Sequence, residues 1–241
     1  MEVYVFNNYD EISNFAAKML VNFINEKPDC VLGLATGETP VGMYKKLIEY
    51  NREKIVDFSK VKSFNLDEYR GLSVSHPQSY RYFMNENFFD HINIDKRNTF
   101  IPDGTCEDVE KECSDYEDKI NEAGGIDFQI LGIGSNGHIG FNEPSSELYV
   151  YTHLASLTEE TRKANSRFFK NVEEVPDKAI TVGIGQIMKA RRIVLLASGS
   201  NKADIIGKLL NGKISTENPS SMLEVHPSVA VIVDKEAAAI L

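Results

Sequence analysis

Short apolar runs alternate with amphipathic stretches along most of the chain. Runs at 3–6, 30–35, 61–66, 128–133, 179–184, 193–197 and 229–233 are predicted strands. Several are apolar at both parities, the pattern of parallel strands covered on both faces. Between them, 9–25 carries Ile12, Phe15, Ala16, Met19, Leu20 and Phe23 on one helical face. Segments 40–54, 80–91, 107–121 and 201–210 read as helices in the same way. The alternation predicts an α/β fold: a single doubly wound, mainly parallel sheet flanked by helices, Rossmann-like. With no repeats and no Pro/Ser-rich linker, residues 1–241 read as one domain. The stretch 157–175 is more polar than its surroundings, with Ser156 or Thr158 as candidate caps; it suits a lid or an ordinary surface helix equally.

Composition narrows the class of protein. At 241 residues the chain can bury roughly 70 % of its unfolded surface. A net charge of −10 argues against nonspecific binding to nucleic acid or an anionic membrane, but a local basic pocket can still take an anion. The three cysteines form no zinc spacing and no CxxC pair, which suits a reduced, cytoplasmic setting. The start, Met1-Glu2-Val3-Tyr4, has no signal-peptide character, and no apolar stretch is long enough to span a bilayer.

The chemistry concentrates where predicted strands end. After the run at 128–131, Leu131 to Pro144 reads Leu-Gly-Ile-Gly-Ser-Asn-Gly-His-Ile-Gly-Phe-Asn-Glu-Pro. The glycines allow tight turns and close approach of a ligand, while Asn136, His138 and Glu143 offer an amide, a base and an acid. The spacing Gly132-x-Gly134-x-x-Gly137 matches a dinucleotide fingerprint, but Gly140 and Pro144 oppose the helix that fingerprint needs. A structural glycine turn is the bland alternative. In Phe64-Asn65-Leu66-Asp67-Glu68-Tyr69 two acids end an apolar strand; successive residues face opposite ways, so one is expected to be a reagent and the other a structural partner.

Three further segments suit an anion. Thr36-Gly37-Glu38-Thr39 lies between a strand and a helix with Pro40 at its start, a cradle of free N–H groups. It lacks the Gly-Lys-Ser/Thr ending of a Walker loop, and Glu38 is expected to point away from an anion. Lys202 sits on the first turn of another helix, where a bound anion would relieve its conflict with the helix dipole. Arg167 could supply a bidentate fork.

These segments, in this order, resemble the glucosamine-6-phosphate deaminase family over nearly the whole chain. The resemblance includes His76-Pro77-Gln78-Ser79-Tyr80, Asn87-Phe88-Phe89-Asp90-His91 and Thr181-Val182-Gly183-Ile184-Gly185. It implies conversion of glucosamine 6-phosphate and water to fructose 6-phosphate and ammonia, with no metal or organic cofactor. It further implies that His138 opens the ring, Glu143 tunes that imidazole, and Asp67 moves a proton between C2 and C1. Thr36, Gly37, Glu38, Thr39, Arg167 and Lys202 would hold the phosphate. Many family members carry aspartate where this chain has Asn136, which can orient but cannot ionise. Allosteric members use basic side chains after the Phe-Asn-Glu-Pro motif and a longer tail; here only His153 lies in 151–155, which predicts little activation and a monomer or low homo-oligomer. The competing expectations are a 6-phosphogluconolactonase-like hydrolase and a non-catalytic sugar-phosphate sensor.

Overall fold

The computed structural model describes all 241 residues. Seven strands form one sheet: β1 (Glu2–Phe6), β2 (Val31–Leu34), β3 (Lys62–Asn65), β5 (Thr99–Phe100), β6 (Phe128–Leu131), β9 (Arg192–Ala197) and β10 (Val229–Asp234). Their order is β1-β10-β9-β6-β2-β3-β5, and every pairing is parallel. Every residue of β2, β6 and β10 is buried, which is why these runs read as apolar without alternation. Helices α1 (Tyr9–Glu26), α2 (Val41–Arg52) and α4 (Val109–Glu122) connect the strands. In α1, Asn8 caps the first turn by accepting from the Glu11 N–H, and Ile12, Ala16, Ala17, Leu20 and Ile24 face the core.

The chain leaves β2 toward β3 and β5, then returns to β6 on the other side of β2 and runs outward to β9 and β10. Between β2 and β6 the winding reverses, and a crevice opens at the carboxyl ends of the strands. The loops after these two strands are the glycine-bearing segments singled out above.

One part of the sheet assignment is corrected. The run at 179–184 does not join the parallel sheet: β8 (Lys178–Thr181) pairs antiparallel with β4 (Asp67–Tyr69) and β7 (His153–Ser156) in a second, three-stranded sheet. Leu66 is the crossing point. Its N–H bonds Leu34 O of the large sheet at 3.2 Å, and its carbonyl accepts from Val182 N at 2.7 Å. Asp67 therefore begins a strand of the small sheet immediately after β3 ends, directly opposite Thr181.

The polar stretch after β7 folds as α5 (Glu159–Asn165), capped by the Thr158 side chain, followed by 3-10 turns at Ser166–Phe168 and Val172–Glu174. Arg162 ties it together by donating to Val172 O and Val175 O. No helix is long and apolar enough to cross a membrane.

Candidate active site

A cavity of about 360 Å³ fills the crevice at the switch point. The loop 35–39 after β2 forms one wall and the loop 132–135 after β6 another, with Asp67 and Tyr80 in the floor. Glu160, Thr161, Ala164, Asn165 and Arg167 of the polar stretch lie over it as a roof. Asp67 and His138 open onto this one space, as do Thr36, Gly37, Glu38, Thr39, Arg167 and Lys202. Asn136 and Glu143 stand behind His138 instead of lining the cavity.

The two adjacent acids have different tasks. Glu68 accepts from the N–H groups of Tyr69, Tyr80 and Arg81 at 2.8–2.9 Å, and so holds the start of α3 (Tyr80–Asn87) against the small sheet. Burial raises its pKa to about 7, although those N–H groups favour the ionised form. Asp67 has no such donors. Burial, and secondarily the charge of Glu68, push it up to about 8. This makes Asp67 a stronger base than a solvated carboxylate, aimed into the cavity and free of competing partners.

The imidazole is fixed by a relay. His138 Nδ1 lies 2.7 Å from Asn136 Oδ1, an acceptor only, so this nitrogen carries the proton. Asn136 Nδ2 donates to Glu143 Oε2 at 2.8 Å, which sets the amide's orientation. Nε2 is left as the free ring nitrogen. Burial disfavours the Glu143 charge, but the nearby imidazole, the Thr161 hydroxyl and the Asn136 amide outweigh it and bring the pKa down to about 2. Glu143 thus acts on His138 both directly, at 3.4 Å from Nδ1, and through the Asn136 amide. Two glycines permit this packing. A Cβ on Gly134 would lie 2.3–2.6 Å from three ring atoms of His138. Gly140 turns at φ +58°, and a Cβ there would approach Thr181 Oγ1 at 2.9 Å.

Opposite Asp67 the rim is cationic. Lys202 Nζ donates to Ile133 O at 2.7 Å, and its pKa is lowered by burial and by Arg167. Two cations held on one rim are a receptor for an anion. Glu38 departs from expectation: it does not point away but pairs with Arg167 at 2.9 Å across the mouth. The side chain is long enough to reach the one guanidinium that the roof brings over the loop.

Several lining residues carried no distinct signal in the sequence. Tyr80 stacks parallel to Phe141 and tilts against Tyr69, whose hydroxyl accepts from Asn165 of the roof at 2.9 Å. Ser135 donates to Glu160 at 3.0 Å. The spacing Thr158-x-x-Thr161 at a helix start was the one available hint of the roof's polar contacts. No group of three or more His, Cys, Asp or Glu is arranged to hold a metal ion.

The sequence profile of the glucosamine-6-phosphate isomerases/6-phosphogluconolactonase family matches residues 8–232. The chain belongs to this family. Among its relatives, a glucosamine-6-phosphate deaminase from Clostridium tetani is 62 % identical over 99 % of both chains. One from Thermoanaerobacter pseudethanolicus is 58 % identical over 100 % of this chain and 95 % of its own. The solved structure of a monomeric glucosamine-6-phosphate deaminase superposes with a TM-score of 0.98 at 46 % identity, covering 100 % of both chains. The 6-phosphogluconolactonase from Trypanosoma brucei shares the fold, with a TM-score of 0.79 at 19 % identity over 100 % of this chain and 98 % of that one.

Proposed function

We propose that this protein converts glucosamine 6-phosphate and water to fructose 6-phosphate and ammonia. The observation that carries the reading is the placement of an unpartnered buried carboxylate and a relay-held imidazole on one cavity with a cationic rim. Its size suits a hexose phosphate. Phosphate on Lys202, Arg167 and the N–H groups of 36–39 would anchor the sugar, and Glu38 would yield Arg167 to it.

His138 Nε2 takes the proton of the anomeric hydroxyl and returns it to the ring oxygen as the C1–O bond of the ring breaks. The C1 aldehyde then makes the C2 proton acidic. Asp67, in its ionised form, removes that proton while the C2 ammonium gives one to O1, leaving an enolamine, and then delivers the proton to C1, leaving a protonated imine at C2. Water adds to the imine carbon and the carbon–nitrogen bond breaks, giving the ketose and ammonia. One carboxylate serves both carbons because they are adjacent, and holding it in place makes each transfer local. A lactonase has no need of a carbon base, so the isolated, raised Asp67 carboxylate favours deamination.

Ammonia release with equimolar ketose formation, measured on purified protein, tests the proposal. Hydrolysis of 6-phosphogluconolactone without ammonia release would favour the lactonase reading, and binding without turnover would favour a sensor. No cofactor enters these steps. Activation by N-acetylated sugar phosphates should be slight, because burial lowers the pKa of His153, the one basic side chain in 151–155, where it stacks on Tyr149. A monomer or low homo-oligomer in the cytoplasm completes the reading.

Two expectations test the anion site and the roof. Lys202→Ala should raise KM about tenfold or more with kcat little changed, the mark of lost charge-assisted binding. An unchanged KM would remove Lys202 from the site. If 157–175 is a lid, its amides should gain protection from hydrogen exchange when the ring-free alditol of the amino-sugar phosphate binds. Identical exchange with and without that analogue would make the segment a fixed roof.

A further inference from the structure

The Glu143 carboxylate is held from two directions. Oε2 takes the Asn136 amide and faces His138 Nδ1. Oε1 accepts only from the hydroxyls of Thr161 and Thr158. Both threonines belong to the roof: Thr158 caps α5 and Thr161 lies in its first turn, 4 % exposed. The Glu143 side chain is itself 9 % exposed, and a carboxylate so placed is costly unless each oxygen is paired. The roof therefore supplies every hydrogen bond that one of its two oxygens makes, and it does so only when seated.

We propose that Thr161 is a positioning residue for ring opening: by holding Glu143 Oε1 it directs Oε2 to the Asn136–His138 pair, so the imidazole is set for proton transfer only while the roof covers the cavity. This rests on the amino-sugar phosphate reading above. The step itself is unchanged in its balance. One proton passes from the anomeric hydroxyl to Nε2 and on to the ring oxygen, and Thr161 exchanges none. A seated roof and a competent imidazole are one state, so proton transfer is confined to a covered, less aqueous cavity.

The test compares wild type, Thr161→Val, which keeps the shape and loses the hydroxyl, and Thr161→Ser, which restores it. Thr161→Val should lower kcat about tenfold with KM within about twofold, and Thr161→Ser should recover most of the loss. The ring-free alditol, which needs no opening, should bind all three alike. The Glu143 carboxyl, followed by ¹³C NMR, should titrate at higher pH in Thr161→Val, because the hydroxyl helps to hold it down. If Thr161→Val does not fold, Thr161→Ala carries the same expectations. Wild-type kcat in the valine variant, or a serine variant as impaired as valine, would overturn the proposal. A wild-type protein that releases no ammonia would instead refute the functional reading, and the carboxyl titration with its serine rescue would still decide whether Thr161 holds Glu143.

Discussion

Replacing Asp67 with asparagine is expected to slow turnover by roughly two to four orders of magnitude while affinity for the alditol phosphate survives. The amide is nearly the same shape but cannot take a proton from carbon. The remaining residues do not replace it: Glu68 spends its oxygens on three backbone N–H groups, and His138 is committed through Nδ1 to Asn136. Steady-state rates beside binding of the alditol would check the split, and undiminished turnover would exclude Asp67 as the base. The same substitution should stabilise the fold. With its pKa raised to about 8, Asp67 keeps its proton in the folded protein while the unfolded chain loses it above about pH 4. Stability is therefore lost as pH rises from about 4 to 8. An asparagine at this position has no proton to lose, so the variant's advantage should grow across that window from near zero to roughly 2–5 kcal/mol. Thermal denaturation at pH 5 and pH 8 reads the difference directly.

The second large effect is expected from Gly134→Ala. Gly134 lies outside the left-handed region, so alanine meets no backbone objection there. The obstacle is contact: the new methyl would overlap Cε1, Nδ1 and Nε2 of His138. The ring must swing away, and doing so breaks its bond to Asn136 Oδ1. We expect about a hundredfold fall in kcat with KM and melting temperature close to wild type, since misplacing a catalytic group by about 1 Å costs that much. Kinetics and a thermal melt would check this. Normal turnover in the alanine variant would show that the imidazole need not sit where the relay holds it.

The parts of this molecule legible in its sequence are those fixed by local chemistry. The strands β2 and β6 declare themselves because burial on both faces demands unbroken apolar runs, and the glycine loops after them mark the crevice. That Asp67 and Glu68 face opposite ways follows from strand geometry alone; which of them lines the cavity does not. What was not legible depends on partners distant along the chain. β4 has three residues and pairs with β8 more than a hundred positions away, and an apolar run such as 179–182 reads the same in either sheet. The roof's composition could not say which cavity it covers. The nearness of Asn136, His138 and Glu143 was readable, but not their sequence in space, because the turn at Gly137 and Gly140 decides which side chain stands between the other two. The direction of Glu38 is hidden for a related reason: its partner Arg167 arrives from a segment remote in sequence.

Leu66 gives its amide hydrogen to the large sheet and its carbonyl oxygen to the strand side of the small one. The carboxylate beside it is thus suspended at a joint a single residue wide. Because hydrogen bonds from both sides grip Leu66, the reach of Asp67 into the cavity is set by the two sheets at once.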